Sequence, residues 1–529
     1  MTGPAPRRLS LCEEQPVRID CWTAARQLEG EAFLFLLDSA GGPRELGRHS
    51  ILAWRPRWEF IAKDGRARAG PPGAARPLEG PVLDELERTL ALFSAPPVTW
   101  RAEGAAPPVY GGGAVGFFAY ELLHEIEAVA PGAAGDLGAA DCHLLFCDLA
   151  VVTDELAGRS WILANGWGNT VAACRAECDA LLREARVVCA PAGAPRRRPG
   201  GRPPHNAALA SRRPPHDEAI AGRRLRWEDL GRHGVDAVTP RGRYLELVAR
   251  ARERIFAGDV FELCLTQRFD AVWEGAGVEL YDALRAINPA PMGAYLRYPE
   301  LEVLSSSPER FLRVDGERRV QTRPIKGTRP RGRYAREDRE LAGALAGSSK
   351  DCAENTMIVD VARNDLGRVC EFGTITVPRL RAVERHPSVF QLVSTVCGRL
   401  RPDVTPVELL RAAFPGASMT GAPKVAAMRL IAAMEESRRG VYAGAIGYID
   451  YRGRLDLSIA IRTIVKRGSA LSFHAGGAVT SDSTPAEEHQ ETLDKVSALA
   501  WALTAARGAA AGVAPAELIR PASGGRVSR

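Results

Sequence analysis

GAIGYIDYRGRLDLSIAIRTIVKRGSALSFHAGGAVT, residues 444–480, is a run of strands joined by short turns. Apolar and other residues alternate along it, the period of a strand with one face buried. The same pattern appears upstream in VFELCLTQRFD (260–270), MGAYLRY (292–298), VLSSSPERFLRV (303–314) and RVQTRPIKGTRP (319–330), which read as a meander. Helical periodicity marks 239–259, 336–347, 351–369, 407–414, 422–439 and 485–506. The implied class is α+β, with large antiparallel β-sheets packed with outer helices.

Residues 1–190 form a first region of related type. Strands are expected at 33–39, 49–56 and 59–63, a helix at 82–94, a strand pair at 142–155 and a helix at 174–187. Gly111–Gly113 permit a tight backbone but do not make a phosphate-binding motif. Residues 191–237 are rich in Pro, Arg and Gly and read as a linker or surface insert, so a boundary belongs there. Residues 238–505 form the second region, and 506–529 read as a disordered tail.

The 529 residues carry a formal net charge of +6, with a cluster of arginines between 195 and 225. No zinc-finger spacing or RNP-like run accompanies the cluster, so it reads as solvated linker and no nucleic-acid partner is expected. The eleven cysteines are too scattered for a disulfide scaffold and fit a reducing compartment. The first residues lack the apolar core of a signal peptide, and no uninterrupted apolar run has the length of a membrane span. A cytoplasmic location and no membrane partner are expected.

Candidate chemistry begins with carboxylates. Asp351 and Glu354 are three apart, as are Glu488 and Glu491, so each pair shares a helix face. Two such pairs from distant elements suit Mg²⁺, though each alone also reads as a solvated face. Lys326 lies between Ile325 and Gly327. Burial would lower its pKa and free a nucleophilic amine; a strand-end lysine reaching water is the other reading. Arg462 interrupts an apolar strand and needs a partner, either a substrate carboxylate or an internal acid. Backbone N–H groups of Ala475–Ser483 are spaced to hold a carboxylate. Lys424 follows a loop entering a helix. No GxSxG, HExxH or Walker A pattern occurs.

RPIKGT, AENTMIVDVARNDLGRV, FQLVSTVCGRL, FPGASMTGAPKVAAMRLI, GAIGYIDYRGRLDLSIAIRT and DSTPAEEHQETLDK, in this order, resemble the chorismate-utilising enzyme family. That family includes anthranilate, aminodeoxychorismate, isochorismate and salicylate synthases. The resemblance is close over 240–505 and looser over LLDS and GGGAVGFFAYE. It implies the fold of anthranilate synthase component I and chorismate as substrate. It further implies Mg²⁺ held by Glu354 and Glu491 with Asp351 and Glu488 as helpers. Arg462, Tyr448, Ser418, the Gly476–Gly477–Ala478 loop and Lys424 match substrate-binding positions.

Three positions sort the chemistry within the family. Anthranilate synthases resemble PIAGT where this chain has PIKGT, and the lysine-bearing branch aminates C4 through an amine that first attacks C2. Glu262 stands where the water-adding branch carries a lysine. Gln391 replaces a histidine associated with pyruvate elimination. The resemblance therefore implies the aminodeoxychorismate-forming branch and Lys326 as catalytic residue. Glu309 is a weak candidate for the acid. No cysteine lies in an amidotransferase-like elbow, so a separate glutamine amidotransferase subunit is the expected partner. Leu36–Leu37–Asp38–Ser39 matches a tryptophan-binding segment of the family or plain core, and both readings stand.

Overall fold

The computed structural model describes residues 7–41, 46–94, 98–103, 109–133, 138–190, 224–332, 334–386 and 389–510. Two sheets dominate, hydrogen-bonded almost entirely antiparallel. One runs from Leu34–Asp38 through Met292–Arg297, Glu302–Ser307, Thr463–Arg467 and Ala470–Val479 to Glu262–Val272. The other runs from Gly113–Phe118 through Ala445–Asp450, Leu455–Ile459, Arg310–Val314 and Arg319–Thr322 to Val389–Arg399. Among the described residues, the one parallel pairing joins Arg7–Gln15 to Val98–Glu103.

Two long strands connect the sheets. His49–Lys63 is a single strand of 15 residues, where two strands were expected. Cys142–Asp154, expected as a strand pair, is a single strand of 13 residues. They pair along their length with a register shift between Pro56 and Trp58. A proline lacks the N–H a regular ladder needs, and the irregularity lets the strand pass through it. One half of Cys142–Asp154 pairs with Gly113–Phe118 and the other half with Arg159–Gly168.

The alternation read from sequence fixes what each face buries. Phe35, Ala294, Leu296 and Val303 of one sheet meet Val115, Phe117, Leu145 and Ile446 of the other. Helices cover the outer faces. Cys21–Gln27, Val171–Cys189, Gly277–Ile287 and Pro485–Ala510 contribute to one outer core, and Val82–Ser94, Pro406–Ala413 and Lys424–Met434 to the other.

Residues on either side of the expected boundary share sheets. Leu34–Asp38 pairs with Met292–Arg297, and Gly113–Phe118 with Ala445–Asp450. Residues 224–237 are ordered, with a 3₁₀ helix at Trp227–His233 and a strand at Val235–Ala237. Arg224 pairs with Asp494 at 2.9 Å. The rest of the arginine-rich stretch, 191–223, lies outside the described residues. The last helix extends to Ala510, past the expected start of the tail; 511–529 lie outside the described residues. All eleven cysteines are free thiols. No described helix is long and apolar enough to cross a membrane.

Phe117 is fully buried between the sheets. Replacing a core phenylalanine by alanine removes its burial and leaves a cavity, at about 3–5 kcal/mol. Phe117→Ala should therefore lower the urea midpoint strongly; an unchanged midpoint would refute this account of the core.

Candidate functional site

Lys326 sits on Ile325–Pro330, whose register against Val389–Arg399 shifts between Ile325 and Thr328. Gly327 explains the shift. Its φ of 85° lies in the left-handed region, and a Cβ there would stand 2.9 Å from the Cβ of Asp351. The distortion turns Lys326 inward, to 8% exposure. Its Nζ donates to Oε1 of Glu262 at 2.5 Å, and Glu262 has 0% exposure.

The pairing corrects one expectation. Burial does pull the Lys326 amine down, but the Glu262 carboxylate, with Glu354 adding to it, outweighs that and holds the amine above the ordinary lysine value. Of the two readings of Lys326, the structure shows the buried one, with its ammonium held charged by Glu262.

The acids come from two helices. Ser349–Gly367 is capped by Ser348, whose hydroxyl accepts from the N–H of Asp351 at 3.3 Å. Asn355 pins this helix by donating to the Leu392 carbonyl at 3.1 Å. Burial pushes the Glu354 carboxyl up to about 7, against the pull of Lys326. The helix Pro485–Ala510 supplies Glu488 and Glu491. Glu488 accepts from Ser483 at 2.6 Å, and burial raises its pKa. Its Oε2 is buried without a hydrogen-bond partner. Lys495 lies 2.7 Å from Glu491 and lowers its pKa.

Lys350 shows that the two helices face each other here. Its Nζ is 3.9 Å from Glu354 and 3.6 Å from Glu488. Sequence reasoning passed over both Lys350 and Lys495, although each stands four residues from an acid already singled out. Asp351, expected beside Glu354, instead accepts from Arg329 at 2.6 Å.

Arg462 has a positive φ of 52°. Strained backbone of this kind persists where the surroundings impose it. No carboxylate among the described residues is within ion-pair distance of its guanidinium. Burial pulls its pKa down, and the nearby Tyr442, Glu491 and Glu309 oppose that. Arg462 immediately precedes Thr463–Arg467, which pairs with Ala470–Val479 only as far as Phe473.

Gly476, Gly477 and Ala478 therefore lie on a strand bonded on one side to Glu262–Val272, not on a loop. A Cβ on Gly477 would stand 2.3 Å from Glu488 Oε2, so glycine there makes room for the carboxylate.

Glu309 is buried, and burial pushes its carboxyl up to about 7. Ser418 donates to it at 2.8 Å, and the N–H of Ile325 at 3.4 Å. Lys326 and Lys495 act on it electrostatically. The acid that looked weak in sequence is thus a protonatable group near the lysine.

Two expected substrate contacts lie elsewhere. Tyr448 turns between the sheets, packs edge-on against Tyr110 at 5.1 Å, and lines a separate cavity with Leu37, Asp38, Ser39 and Met292. Tyr442, six residues earlier, is the tyrosine near Arg462. Lys424 donates to Asp365 at 3.1 Å and to the Ala413 carbonyl at 2.7 Å, so its ammonium serves the fold. In the tryptophan-matching segment Leu36 is core, and Asp38 is neutralised by Arg285 at 2.7 Å. Gln391 is buried, and its Oε1 has no hydrogen-bond partner.

The model of the chorismate binding enzyme family matches residues 33–500. This chain belongs to that family. An aminodeoxychorismate synthase of Streptomyces griseus is 38% identical over 507 residues, covering 94% of this chain and 65% of that protein. The chain thus spans just under two thirds of that relative's length. An anthranilate synthase component 1 of Acetivibrio thermocellus is 32% identical over 485 residues, 90% of this chain and 91% of that one. Among solved structures, anthranilate synthase component I from Streptococcus pneumoniae TIGR4 superposes with a TM-score of 0.67 at 28% identity, covering 86% of this chain and 92% of that chain. The α+β fold, with antiparallel sheets and outer helices, is the family's.

The raised Glu309 carboxyl has a consequence for stability. A folded-state pKa of about 7 against an ordinary 4.5 favours the protonated folded protein. Its stabilisation is complete below about pH 4.5 and is lost as pH rises through about 7. The melting temperature of the wild type relative to Glu309→Gln should fall across that window; a constant difference would contradict the assignment.

Proposed function

We propose that this chain is the chorismate-aminating component of an aminodeoxychorismate synthase. It converts chorismate and ammonia to 4-amino-4-deoxychorismate, the ammonia coming from glutamine through a separate amidotransferase subunit. The observation that carries this reading is Lys326, buried at the side of the acidic helices and paired with Glu262. Aminodeoxychorismate and anthranilate synthases both stand among the relatives, so overall similarity does not choose between them. An alanine at this position has no amine for covalent catalysis, and this chain has one.

Among the described residues, no three acidic, histidine or cysteine side chains form a ready metal cage. Mg²⁺ seldom uses such a cage: it keeps waters and takes few carboxylates together with anions of the substrate. The buried, unpartnered Oε2 of Glu488 and the loosely held Lys350 mark a place short of positive charge. Glu354, Glu488 and Glu491 fit Mg²⁺ there; Asp351, committed to Arg329, belongs to the surroundings. Bound Mg²⁺ would supply a fixed charge for the ring carboxylate.

The chain's own residues do the rest. Arg462, in no ion pair among the described residues, takes a second substrate carboxylate. The neutral amine of Lys326 attacks C2 as the C4–O bond breaks. Glu309 gives its proton to the departing hydroxyl, which leaves as water. Ammonia then adds at C4, and the lysine nitrogen leaves C2 with its electron pair.

Incubation with chorismate, Mg²⁺ and ammonium should give a product that becomes 4-aminobenzoate only when a lyase is added. Fluorescent anthranilate formed directly would overturn the reading. Lys326→Ala should fold and lose amination, so wild-type turnover in that variant would remove the covalent route. Arg462→Ala forfeits a charge-assisted contact worth about 1.5–3 kcal/mol, so KM for chorismate should rise about tenfold to a hundredfold. An unchanged KM would place the carboxylate elsewhere.

A further inference from the structure

A lysine that must attack as an amine begins, in this structure, as an ammonium. The proton has to leave before the C2–N bond forms, and the site has few places to put it. The ionisable groups facing Lys326 are Glu262 and Cys264 from one strand, Glu354 and Glu491 from the two acidic helices, and Glu309. Glu309 is needed with its own proton, for the hydroxyl. Cys264 is buried, and burial raises its thiol further from ionisation. Among the described residues, Glu262 alone is in direct hydrogen-bond contact with Nζ, at 2.5 Å. Its second oxygen, Oε2, is buried and has no hydrogen-bond partner, so no other group holds the carboxylate in its charged form. A carboxylate with one oxygen on the lysine proton and the other buried and without a partner is placed to receive that proton.

We propose that Glu262 is the catalytic base of the amination, taking the proton of Lys326 before attack and returning it afterwards. This rests on the reading of Lys326 as nucleophile. The Nζ–H bond breaks and the proton moves to Glu262 Oε1, leaving a neutral amine beside a neutral acid. The amine's electron pair forms the bond to C2, the C4–O pair leaves with oxygen, and Glu309 protonates it. When ammonia has added at C4, the C2–N pair returns to the lysine nitrogen, and Glu262 gives the proton back. The ammonium–carboxylate pair is restored, Glu309 regains its proton from the ammonio group at C4, and the net change is chorismate plus ammonia to 4-amino-4-deoxychorismate plus water. The proton never enters bulk solvent, which requires the contact to be both short and dry.

The identity of residue 262 then carries a meaning beyond the exclusion of water attack. A lysine there could not receive a proton from a second ammonium. A glutamine there would leave the amine to lose its proton to solvent.

The test is single-turnover adduct formation without ammonia. Wild type, Glu262→Gln and Glu262→Asp are mixed with chorismate and Mg²⁺ from pH 6 to 9, and the covalent adduct on Lys326 is followed by intact-protein mass spectrometry. The wild-type rate should be nearly flat with pH. Glu262→Gln should form adduct about a hundredfold more slowly near neutrality and recover as pH rises. Glu262→Asp, which keeps a carboxylate, should keep the flat profile at a reduced rate. Equal rates and profiles in wild type and Glu262→Gln, with the adduct present in both, would overturn the role of Glu262 while leaving Lys326 as nucleophile. Absence of the adduct in active wild type would overturn both. Should Glu262→Gln fail to fold, Glu262→Ala with added formate makes the same comparison: restored adduct formation is expected, and no restoration refutes the base.

Discussion

A charge taken out of water must be answered by another charge or by hydrogen bonds, and the site is organised by that requirement. Glu262, Glu309, Glu354, Glu488 and Glu491 converge from one strand, one turn between strands and two helices. Lys326, Lys350 and Lys495 stand among them, each within ion-pair reach of at least one carboxylate. The balance is incomplete: among the described residues, oxygens of Glu262 and Glu488 lack hydrogen-bond partners, and Arg462 is in no ion pair. Unanswered charges of both signs are what a dianionic substrate and a divalent cation would complete.

The scaffold holds these groups by means remote from the chemistry. Arg439, fully buried, donates to the carbonyls of Met419 and Cys264 and pairs with Glu435, which in turn accepts from Thr266. It therefore fixes the strand of Glu262 relative to the segment of Ser418. Its guanidinium lies 4.4 Å from the ring of Tyr120, and its N–H donates to Glu121, so residues from the first region hold the clamp in place. The sheets position strands; the clamp sets the separation of two that carry site residues.

The fold class was legible because alternation is a local signal; three-residue spacing marked the acid pairs, but it did not show that Asp351 would turn to Arg329 while Glu354 faces Glu488 across Lys350. Lys326 was not legible as inward from its neighbours, which also fit a strand-end lysine reaching water; only the family resemblance placed it at the substrate. Its charge was not legible either, because that depends on Glu262, 64 positions away in sequence. Tyr442 lies just before the strand Ala445–Asp450 that carries Tyr448, and which of the two stands near Arg462 is decided by tertiary placement, which a local pattern does not carry. Lys424 looked like a ligand because its partner Asp365 belongs to another helix. The two long strands were split in reading because a proline and short polar residues mimic a turn, and pairing over their whole length carried them through. Glu309 needed burial, a tertiary property, to become an acid.

The sharing of strands between the two regions bears on how the chain can be divided. A fragment beginning near residue 238 would carry every acid and the lysine of the site. It would lack Leu34–Asp38 and Gly113–Phe118, leaving Met292–Arg297 and Ala445–Asp450 with exposed donors and acceptors along one edge. Open edges of apolar strands invite pairing with other copies, so such a fragment would self-associate into aggregates rather than remain a smaller working enzyme. Any inheritance or engineering of this chemistry has to carry the N-terminal strands with it.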